Sequence, residues 1–164
     1  MKNVHVLLGG SDRRLNNLIE VAVRNVCFEQ LHVECAITRR LDELLHRGIQ
    51  SEFGLIFVAP DHLLLGPYTR TTGVRIGDAA KVIRMIKQQR SVPVIAVGIS
   101  PQDESEILQA GADHVFGILL GREALGAEVR RVLNLREQVT EEPESSRSSF
   151  ASGLFRGWQR FRQA

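Results

Sequence analysis

Short apolar runs alternate along this chain with stretches in which apolar residues recur at helical intervals. Val4 to Leu8 is a β-rich run, and the turn Gly9-Gly10-Ser11-Asp12 that follows it can cap a helix. Apolar residues then recur three and four positions apart at Leu15, Leu18, Ile19, Ala22, Val23 and Val26. This spacing predicts an amphipathic helix directly after the first strand.

The alternation continues through a second and a third strand. Leu31 to Ile37 predicts a strand, and Thr38 precedes a second helix. The predicted buried face of that helix holds Leu41, Leu44, Leu45 and Ile49. Leu55 to Ala59 is continuously apolar, which is typical of a strand buried on both faces, so we expect it in the middle of a sheet.

A long loop separates the third strand from the third helix. Asp78 is a candidate N-cap for that helix, because apolar residues follow it at Val82, Ile83 and Ile86. Val92 to Val97 predicts the fourth strand.

The clearest helix-start signal follows the fourth strand. Ser100 to Asp103 offers a capping serine, a proline at the first helical position and an acid three residues after the cap, so a helix is predicted to begin there. Gly111 is expected to end it. Val115 and Phe116 predict a short fifth strand, and Ala124 to Leu135 predicts the last helix.

Five predicted strands thus alternate with five predicted helices. Each helix must cover one face of the sheet, so the strands pair in parallel through right-handed crossovers. The expected fold is an α/β three-layer sandwich of the flavodoxin-like kind, with strand order 2-1-3-4-5.

Two stretches in the second half of the chain resemble the receiver (CheY-like) domains of bacterial response regulators. One is Ala80 to Lys87, which leads into the strand at Val92 to Val97. The other is Glu106 to Asp113, where family members carry a helix that ends in a Gly-Ala-Asp turn before the fifth strand. The resemblance covers residues 3 to 135, approximately, and implies the same strand order.

Receivers of this family need reactive residues in fixed places. Two acids after strand one and an aspartate that ends strand three hold Mg²⁺ and accept a phosphoryl group, and a hydroxyl and a lysine after strands four and five bind its oxygens. Here the acidic pair falls on Gly9 and Gly10, the phosphoacceptor on Ala59, the hydroxyl on Gly98 and the lysine on Ile118. The resemblance therefore implies a degenerate pseudo-receiver that is not phosphorylated on aspartate and uses no metal or cofactor.

Other polar residues lie near the carboxyl ends of strands, where open α/β sheets bind ligands. Asp12, Asp61 and Ser100 are candidate ligand residues, and Asp12 with Asp61 could form a displaced metal site. Asp12 is equally explained as a helix cap and Asp61 as a turn residue. The amides of Gly9-Gly10-Ser11 could bind an anion, but the known phosphate-loop spacings are missing and a tight turn is favoured.

The loop from Pro60 to Gly77 is longer than receivers usually have at this place. Loops of such length in compact domains are usually functional or disordered, so we expect a protein partner to bind it, with local packing or mobility as the alternative. Its candidate partner-binding residues are Leu63, Leu64, Leu65, Tyr68 and Arg70. As part of a surface loop, residues 63–72 are expected to be dispensable for folding.

Composition changes after residue 136, the expected end of the receiver-like domain. Residues 137–148 are acidic and rich in serine, which predicts a solvated linker. Residues 149–164 form a basic tail that predicts an amphipathic helix. The candidate partner-binding residues of this tail are Phe150, Leu154, Phe155, Trp158 and Phe161. We expect it to dock on a protein partner, with an anionic membrane surface or its own domain as alternatives.

Whole-chain composition narrows the function. A chain of 164 residues with 43% hydrophobic residues fits one domain with an appendage. Formal net charge is only +2, and residues 147–164 hold four arginines and no acid, so nucleic acid is not an expected partner. No apolar stretch is long enough for a signal-peptide core or a membrane span, and we expect a cytoplasmic protein.

Residues that could carry catalysis are scattered. Cys27 and Cys35 form no CxxC pair and are expected to pack as small hydrophobes. Single histidines lie at His5, His32, His46, His62 and His114, without a nucleophile-and-base set. We therefore do not expect an enzyme.

The leading hypothesis is a non-catalytic, receiver-like signalling or adaptor domain that binds protein partners through its loop and tail. One alternative is an atypical phosphorylatable receiver in a phosphorelay, with transfer to Asp61. Others are a small-ligand-binding flavodoxin-like domain and a structural component of a larger assembly. Because receivers often dimerise, a homodimer is a further expectation.

Overall fold

The computed structural model describes residues 1–50 and 52–135. Its elements are β1 (Lys2–Gly9), α1 (Arg13–Cys27), β2 (Leu31–Thr38), α2 (Leu41–Gly48), β3 (Phe53–Val58), a 3-10 turn (Pro60–His62), α3 (Ile76–Gln89), β4 (Val94–Ala96), α4 (Glu104–Gln109), β5 (His114–Val115) and α5 (Arg122–Leu133). None of these helices is long and apolar enough to cross a membrane. The predicted linker and tail, with the tail's five partner-binding candidates, lie outside the described residues.

All five strands form one parallel sheet in the order β2-β1-β3-β4-β5. Gly9 at the end of β1 pairs with Thr38 on one side and with Val58 on the other. Strands β1, β2 and β3 therefore end level with one another at the carboxyl edge of the sheet. The predicted α/β fold and strand order are confirmed.

Side chains of the central strands alternate between two cores, one on each face of the sheet. Leu7 and Ile56 pack with residues of α2, α3 and α4, whereas Leu8 and Phe57 pack with residues of α1 and α5. All four side chains are at most 1% exposed. Burial on both faces explains why β3 is a continuous apolar run.

The fourth strand is shorter than the apolar run that predicted it, and the fifth strand begins one residue earlier than predicted. Pro93 has no amide to donate, and β4 begins only after it, at Val94. Phe116 lies just beyond β5, although its amide still donates to the carbonyl of Ala96 at 2.8 Å. The predicted strands are therefore present, with boundaries moved by one or two residues.

Helix α3 begins before the predicted cap. Asp78 lies in its first turn, and Arg75 occupies the N-cap position. The amide of Asp78 donates to the carbonyl of Arg75 at 3.1 Å. A carboxylate is favourable near the N-terminus of a helix, which accounts for an acid at the third helical position rather than at the cap.

Helix α4 begins later than predicted, at Glu104 after the N-cap residue Asp103. The hydroxyl of Ser100 donates to the Asp103 carboxylate, with 2.7 Å between Oγ and Oδ2. Ser100 therefore holds the turn before the helix and does not cap it. Gly111 has φ of +110°, which confirms the predicted stop after α4.

Helix α2 ends one residue before Ile49, which the sequence placed on the buried face. Leu44 is fully buried and Leu45 half-buried, but Ile49 is 40% exposed. A Cβ on Gly48 would lie 2.7 Å from Cδ1 of Ile86, so glycine lets α2 end close to α3 without a shift of the Ile86 side chain. Because the helix stops there, Ile49 no longer follows its buried face.

Candidate functional site at the carboxyl edge of the sheet

The positions at which receivers carry their acids meet where β1 and β3 end. Gly9 is the last residue of β1, and Ala59 follows β3 directly. The amide of Ala59 donates to the carbonyl of Gly9 at 2.8 Å. Ile118, at the lysine position, is 77% exposed beyond β5, and Gly98 follows β4 with φ of +72°. We call the place formed by Gly9, Gly10 and Ala59 the β1–β3 crevice.

The β1–β3 crevice has no room for a side chain at Gly9. A Cβ there would lie 2.9 Å from the carbonyl oxygen of Phe57 and 3.0 Å from Cδ1 of Leu44. A Cβ at Gly10 would lie 3.2 Å from the Cβ of Ala59. Because the closest of these atoms belongs to the backbone of a buried strand, the crevice cannot widen by a change of rotamer alone.

Backbone amides in the turn after β1 already have partners. The Gly10 amide donates to the carbonyl of Thr38 at 3.0 Å, and the Ser11 amide donates to the carbonyl of His62 at 2.6 Å. The Ser11 hydroxyl donates to the same His62 carbonyl at 2.7 Å. The side chain of Asn16 donates to the Gly10 carbonyl at 2.9 Å. These amides are therefore used inside the fold, so the turn does not offer them to an anion.

Asp12 caps α1, as the sequence predicted. Its Oδ1 accepts from the amides of Arg14 at 2.8 Å and Leu15 at 3.2 Å. Its Oδ2 lies 3.7 Å from Nε2 of His62. The hydrogen bond from Leu15 has the largest effect on the pKa of Asp12, which lies below its ordinary value. Desolvation opposes this shift, and the Arg14 amide and the charge of His62 add to it.

The other two candidate ligand residues, Asp61 and Ser100, take no part in this cap. Asp61 is exposed in the 3-10 turn, and Ser100 is bonded to Asp103 as described above. Among residues 1–50 and 52–135, no three His, Cys, Asp or Glu side chains are grouped so that they could hold a metal ion. A metal site at Asp12 and Asp61 stays a prediction that has no third such ligand in the described residues.

The long loop after β3 is closed at its base. Leu63 is fully buried in the core that α2 and α3 share. The Gly73 amide donates to the Leu63 carbonyl at 2.9 Å, and the Val74 amide donates to the Pro60 carbonyl at 3.0 Å. Leu63 is therefore a core residue and not part of a partner surface, and residues 63–72 are not a wholly dispensable loop. The triple-leucine sequence alone could not separate its buried member from its exposed one.

Beyond this base the loop is exposed. The amide of Leu64 donates to the carbonyl of Arg39 at 2.8 Å, and its carbonyl accepts from the Leu41 amide at 2.7 Å. Residues 65–72 follow, and we call them the lobe tip. Its exposed partner-binding candidates are Leu65 at 52%, Tyr68 at 97% and Arg70.

Two arginine pairs at the same edge were not singled out from the sequence. Arg13-Arg14 follows β1 and Arg39-Arg40 follows β2. Arg40 donates to Asp42 from Nε at 3.0 Å and from Nη2 at 2.8 Å, which lowers the pKa of Asp42. The other three arginines line a groove beside α1. Because β1 and β2 are neighbours in the predicted order, dipeptides that follow them must meet at one edge, and this signal was available in the sequence.

The fold is shared with solved receiver domains. No family model matches this sequence, and no curated protein matches it. A two-component response regulator from Clostridium difficile is 15% identical, with a TM-score of 0.59 over 80% of this chain and 96% of that chain. The receiver domain of a sensor histidine kinase from Pseudomonas aeruginosa PAO1, with magnesium in its active-site cleft, is 18% identical, with a TM-score of 0.59 over 80% and 98%.

A third similar structure is a CpaE2 protein assigned to pilus assembly, from Sinorhizobium meliloti 1021. It is 13% identical, with a TM-score of 0.59 over 79% of this chain and 99% of that chain. Likeness at such identities concerns the fold and leaves the chemistry to the site. The described part of this chain has the fold of response-regulator receiver (CheY-like) domains.

Proposed function

We propose that this chain is a pseudo-receiver, a signalling or adaptor domain that binds protein partners and is not phosphorylated on aspartate. The closed β1–β3 crevice is the single observation that carries this proposal. A receiver needs an acceptor oxygen and metal ligands in that place. Ala59 offers no oxygen, and a side chain at Gly9 would meet the Phe57 carbonyl at 2.9 Å.

Hydrogen bonds inside the fold add to this argument. Ser11 ties the turn after β1 to the 3-10 turn after β3, through both its amide and its hydroxyl. A phosphoryl group in the β1–β3 crevice would need donors there, and the amides of Gly10 and Ser11 are already used. The domain therefore has no enzymatic step of its own in this proposal and acts through its surfaces.

The lobe tip is the surface that we assign to a protein partner. The buried Leu63 and the hydrogen bonds at the base of the loop anchor this segment, on which Leu65 and Tyr68 are exposed. Tyrosine and arginine are enriched where protein interfaces gain most of their binding energy, and the tip carries Tyr68 and Arg70 together. The tail, residues 149–164, is the second proposed contact.

Phosphorylation chemistry tests the first half of the proposal. Incubation with acetyl phosphate and Mg²⁺, followed by intact-mass measurement, is expected to add no phosphoryl group, and beryllofluoride is expected not to bind. The variant Ala59→Asp restores the acceptor alone and is also expected to stay unmodified, because Gly9 and Gly10 supply no ligand for Mg²⁺. A stable adduct on any aspartate of the unaltered chain, including Asp61, would overturn the pseudo-receiver.

Partner capture tests the second half. We expect Tyr68→Ala and removal of residues 149–164 each to reduce co-purification of a protein partner from native extract at unchanged melting temperature. Arg84→Ala, on the exposed face of α3, is the matched control and should have no effect. Equal recovery of partners by all variants would refute the assignment of both surfaces. If the tail binds anionic vesicles and no protein, its partner is a membrane surface and not a protein.

A structural role in a larger assembly is the second candidate function. The similar structures include the pilus-assembly protein from Sinorhizobium meliloti 1021 and another assigned to pilus assembly from Burkholderia thailandensis E264, at 13% and 17% identity. Native size-exclusion of the chain from its own cells separates the two functions. A large stable complex favours an assembly component, and a small transient one favours an adaptor.

A further inference from the structure

A groove lies beside the first turns of α1, on the opposite side of β1 from the crevice. Arg13 and Arg14 line it from α1, and Ile37 and Arg39 line it from β2 and the residue after it. Its volume is about 650 Å³, within the range of small-molecule sites. We call it the arginine groove. It shares no side chain with the positions that receivers use for phosphorylation.

The arginine groove holds more positive than negative charge, because Arg13, Arg14 and Arg39 line it with one acid, Glu20, although the charge of Arg14 also acts on the Asp12 carboxylate. Among residues 1–50 and 52–135, no hydrogen bond or ion pair holds the guanidinium of Arg13, Arg14 or Arg39. Glu20 is the acid in the groove, and Arg24 holds its Oε1 at 3.0 Å from Nε and 2.9 Å from Nη2. The charge of Glu20 is thus balanced by a residue other than the three free arginines.

The arginine next in sequence shows the contrast. Arg40 is fixed by Asp42 and by Glu43, whose Oε1 lies 3.7 Å from Nη2. Within the described residues, no carboxylate is bonded in this way to the guanidinium of Arg13, Arg14 or Arg39, so their donors are open to a ligand. Ile37 adds an apolar surface that is 48% exposed, and Asn17 adds an exposed amide.

We propose that the arginine groove binds a small anion that contains a pyrophosphate group. Guanidinium forks match phosphate oxygens in pairs and keep their charge at every physiological pH. Three of them suit a ligand with two linked phosphates better than one with a single phosphate. The exposed Ile37 can contact the apolar part of a nucleoside diphosphate. The site binds and does not hydrolyse its ligand, and it is independent of the pseudo-receiver proposal.

Calorimetric titration of the full chain at about 150 mM salt tests the site, because that concentration screens unspecific surface attraction. The probes are ADP, inorganic pyrophosphate and inorganic phosphate. We expect saturable one-site binding of the first two. Arg39→Ala and Arg14→Ala should each weaken it by about fivefold, the change expected for loss of one exposed ion pair. Arg39→Lys keeps the charge and loses the fork, so it should fall between Arg39→Ala and the unaltered chain.

Arg84→Ala removes an exposed arginine on the other face of the sheet and is the matched control. Tighter binding of ADP than of pyrophosphate, reduced by Ile37→Ala, identifies a nucleotide, and equal affinities identify an inorganic polyphosphate. Both outcomes support a pyrophosphate site. Absence of saturable binding, or an equal loss in Arg84→Ala, overturns it. Unchanged melting temperatures of the arginine variants establish that any loss is one of binding.

Discussion

The carboxyl edge of the sheet is closed at one place and open at another. At the β1–β3 crevice, the Phe57 carbonyl and the Leu44 side chain fill the space beside Gly9. At the arginine groove, on the other side of β1, three arginines line about 650 Å³ of open volume. The same carboxyl edge of a receiver-like sheet is thus tightly packed on one side of β1 and open on the other.

The largest expected effect comes from forcing an acid into the closed place. Gly9→Asp should destabilise the domain by about 4 kcal/mol, because a new side chain meets buried backbone and a carboxylate enters an apolar surrounding. Gly66→Asp is the matched control, since a Cβ there meets nothing within 4 Å. Urea unfolding measures both. Equal stability of the two variants would mean that the crevice has room and that its closure is not a property of the fold.

The second contrast is between the buried base of the loop after β3 and the exposed lobe tip. Leu63→Ala should cost about 2–4 kcal/mol, because it opens a cavity in the core. Leu65→Ala should change the free energy of unfolding by less than about 0.5 kcal/mol, since the Leu65 side chain is about half exposed to solvent. These two leucines, two positions apart in the sequence, thus differ through burial alone. Similar losses for both variants would place the lobe tip in the core.

Much of the fold was predictable because each face of the sheet needs apolar residues at fixed spacing. Leu8 and Phe57 could be assigned to a buried strand from the run of apolar neighbours. For the β1–β3 crevice, the sequence predicted the missing acids but not the packing around them. Gly9 and Gly10 indicated that the metal-binding acids are missing. They did not indicate that Leu44 and the Phe57 carbonyl occupy the space beside Gly9.

Details that depend on contacts distant in sequence were not predictable. Leu63 is buried because its loop returns through Gly73 and Val74, and no local pattern shows that return. The start of α4 differs from its predicted place for a related reason. Ser100 had every local feature of a cap, yet its hydroxyl bonds the Asp103 carboxylate, and the choice between these partners lies outside sequence periodicity.

Removal of Asp12, the N-cap of α1, is expected to have an intermediate effect on the free energy of unfolding. Asp12→Ala should cost about 1 kcal/mol, because the Arg14 and Leu15 amides lose their acceptor. Asp12→Asn should keep most of this stability at neutral pH. The pKa of Asp12 is lowered from 3.8 in the folded state, so its charge contributes stability above that value and loses it as the pH falls through the folded pKa. The difference between Asp12→Asn and the unaltered chain should therefore shrink below about pH 4. A difference that is constant with pH in urea unfolding would contradict this account.

The smallest expected effect concerns Cys35, which lies on β2 close in sequence to the arginine-groove residue Ile37. Cys35 lies two residues before Ile37, so both side chains point to the same face of β2. Burial raises the pKa of the Cys35 thiol from 9.0 to about 11, Glu20 adds to the shift and Arg24 opposes it. A raised thiol pKa contributes stability that is present below pH 9 and is lost as the pH rises towards 11.

Alkylation by iodoacetamide reads this pKa, because only the thiolate reacts. In a Cys27→Ala background, the folded chain should react slowly at pH 8, with a rate that keeps rising beyond pH 9. The urea-unfolded chain provides the ordinary titration as a reference. Glu20→Gln should move the folded titration towards that reference, since it removes the negative charge beside the thiol, and Glu34→Gln, on the other face of β2, should leave it in place. A folded thiol that already titrates like the unfolded one would show that water reaches Cys35 and would contradict its burial.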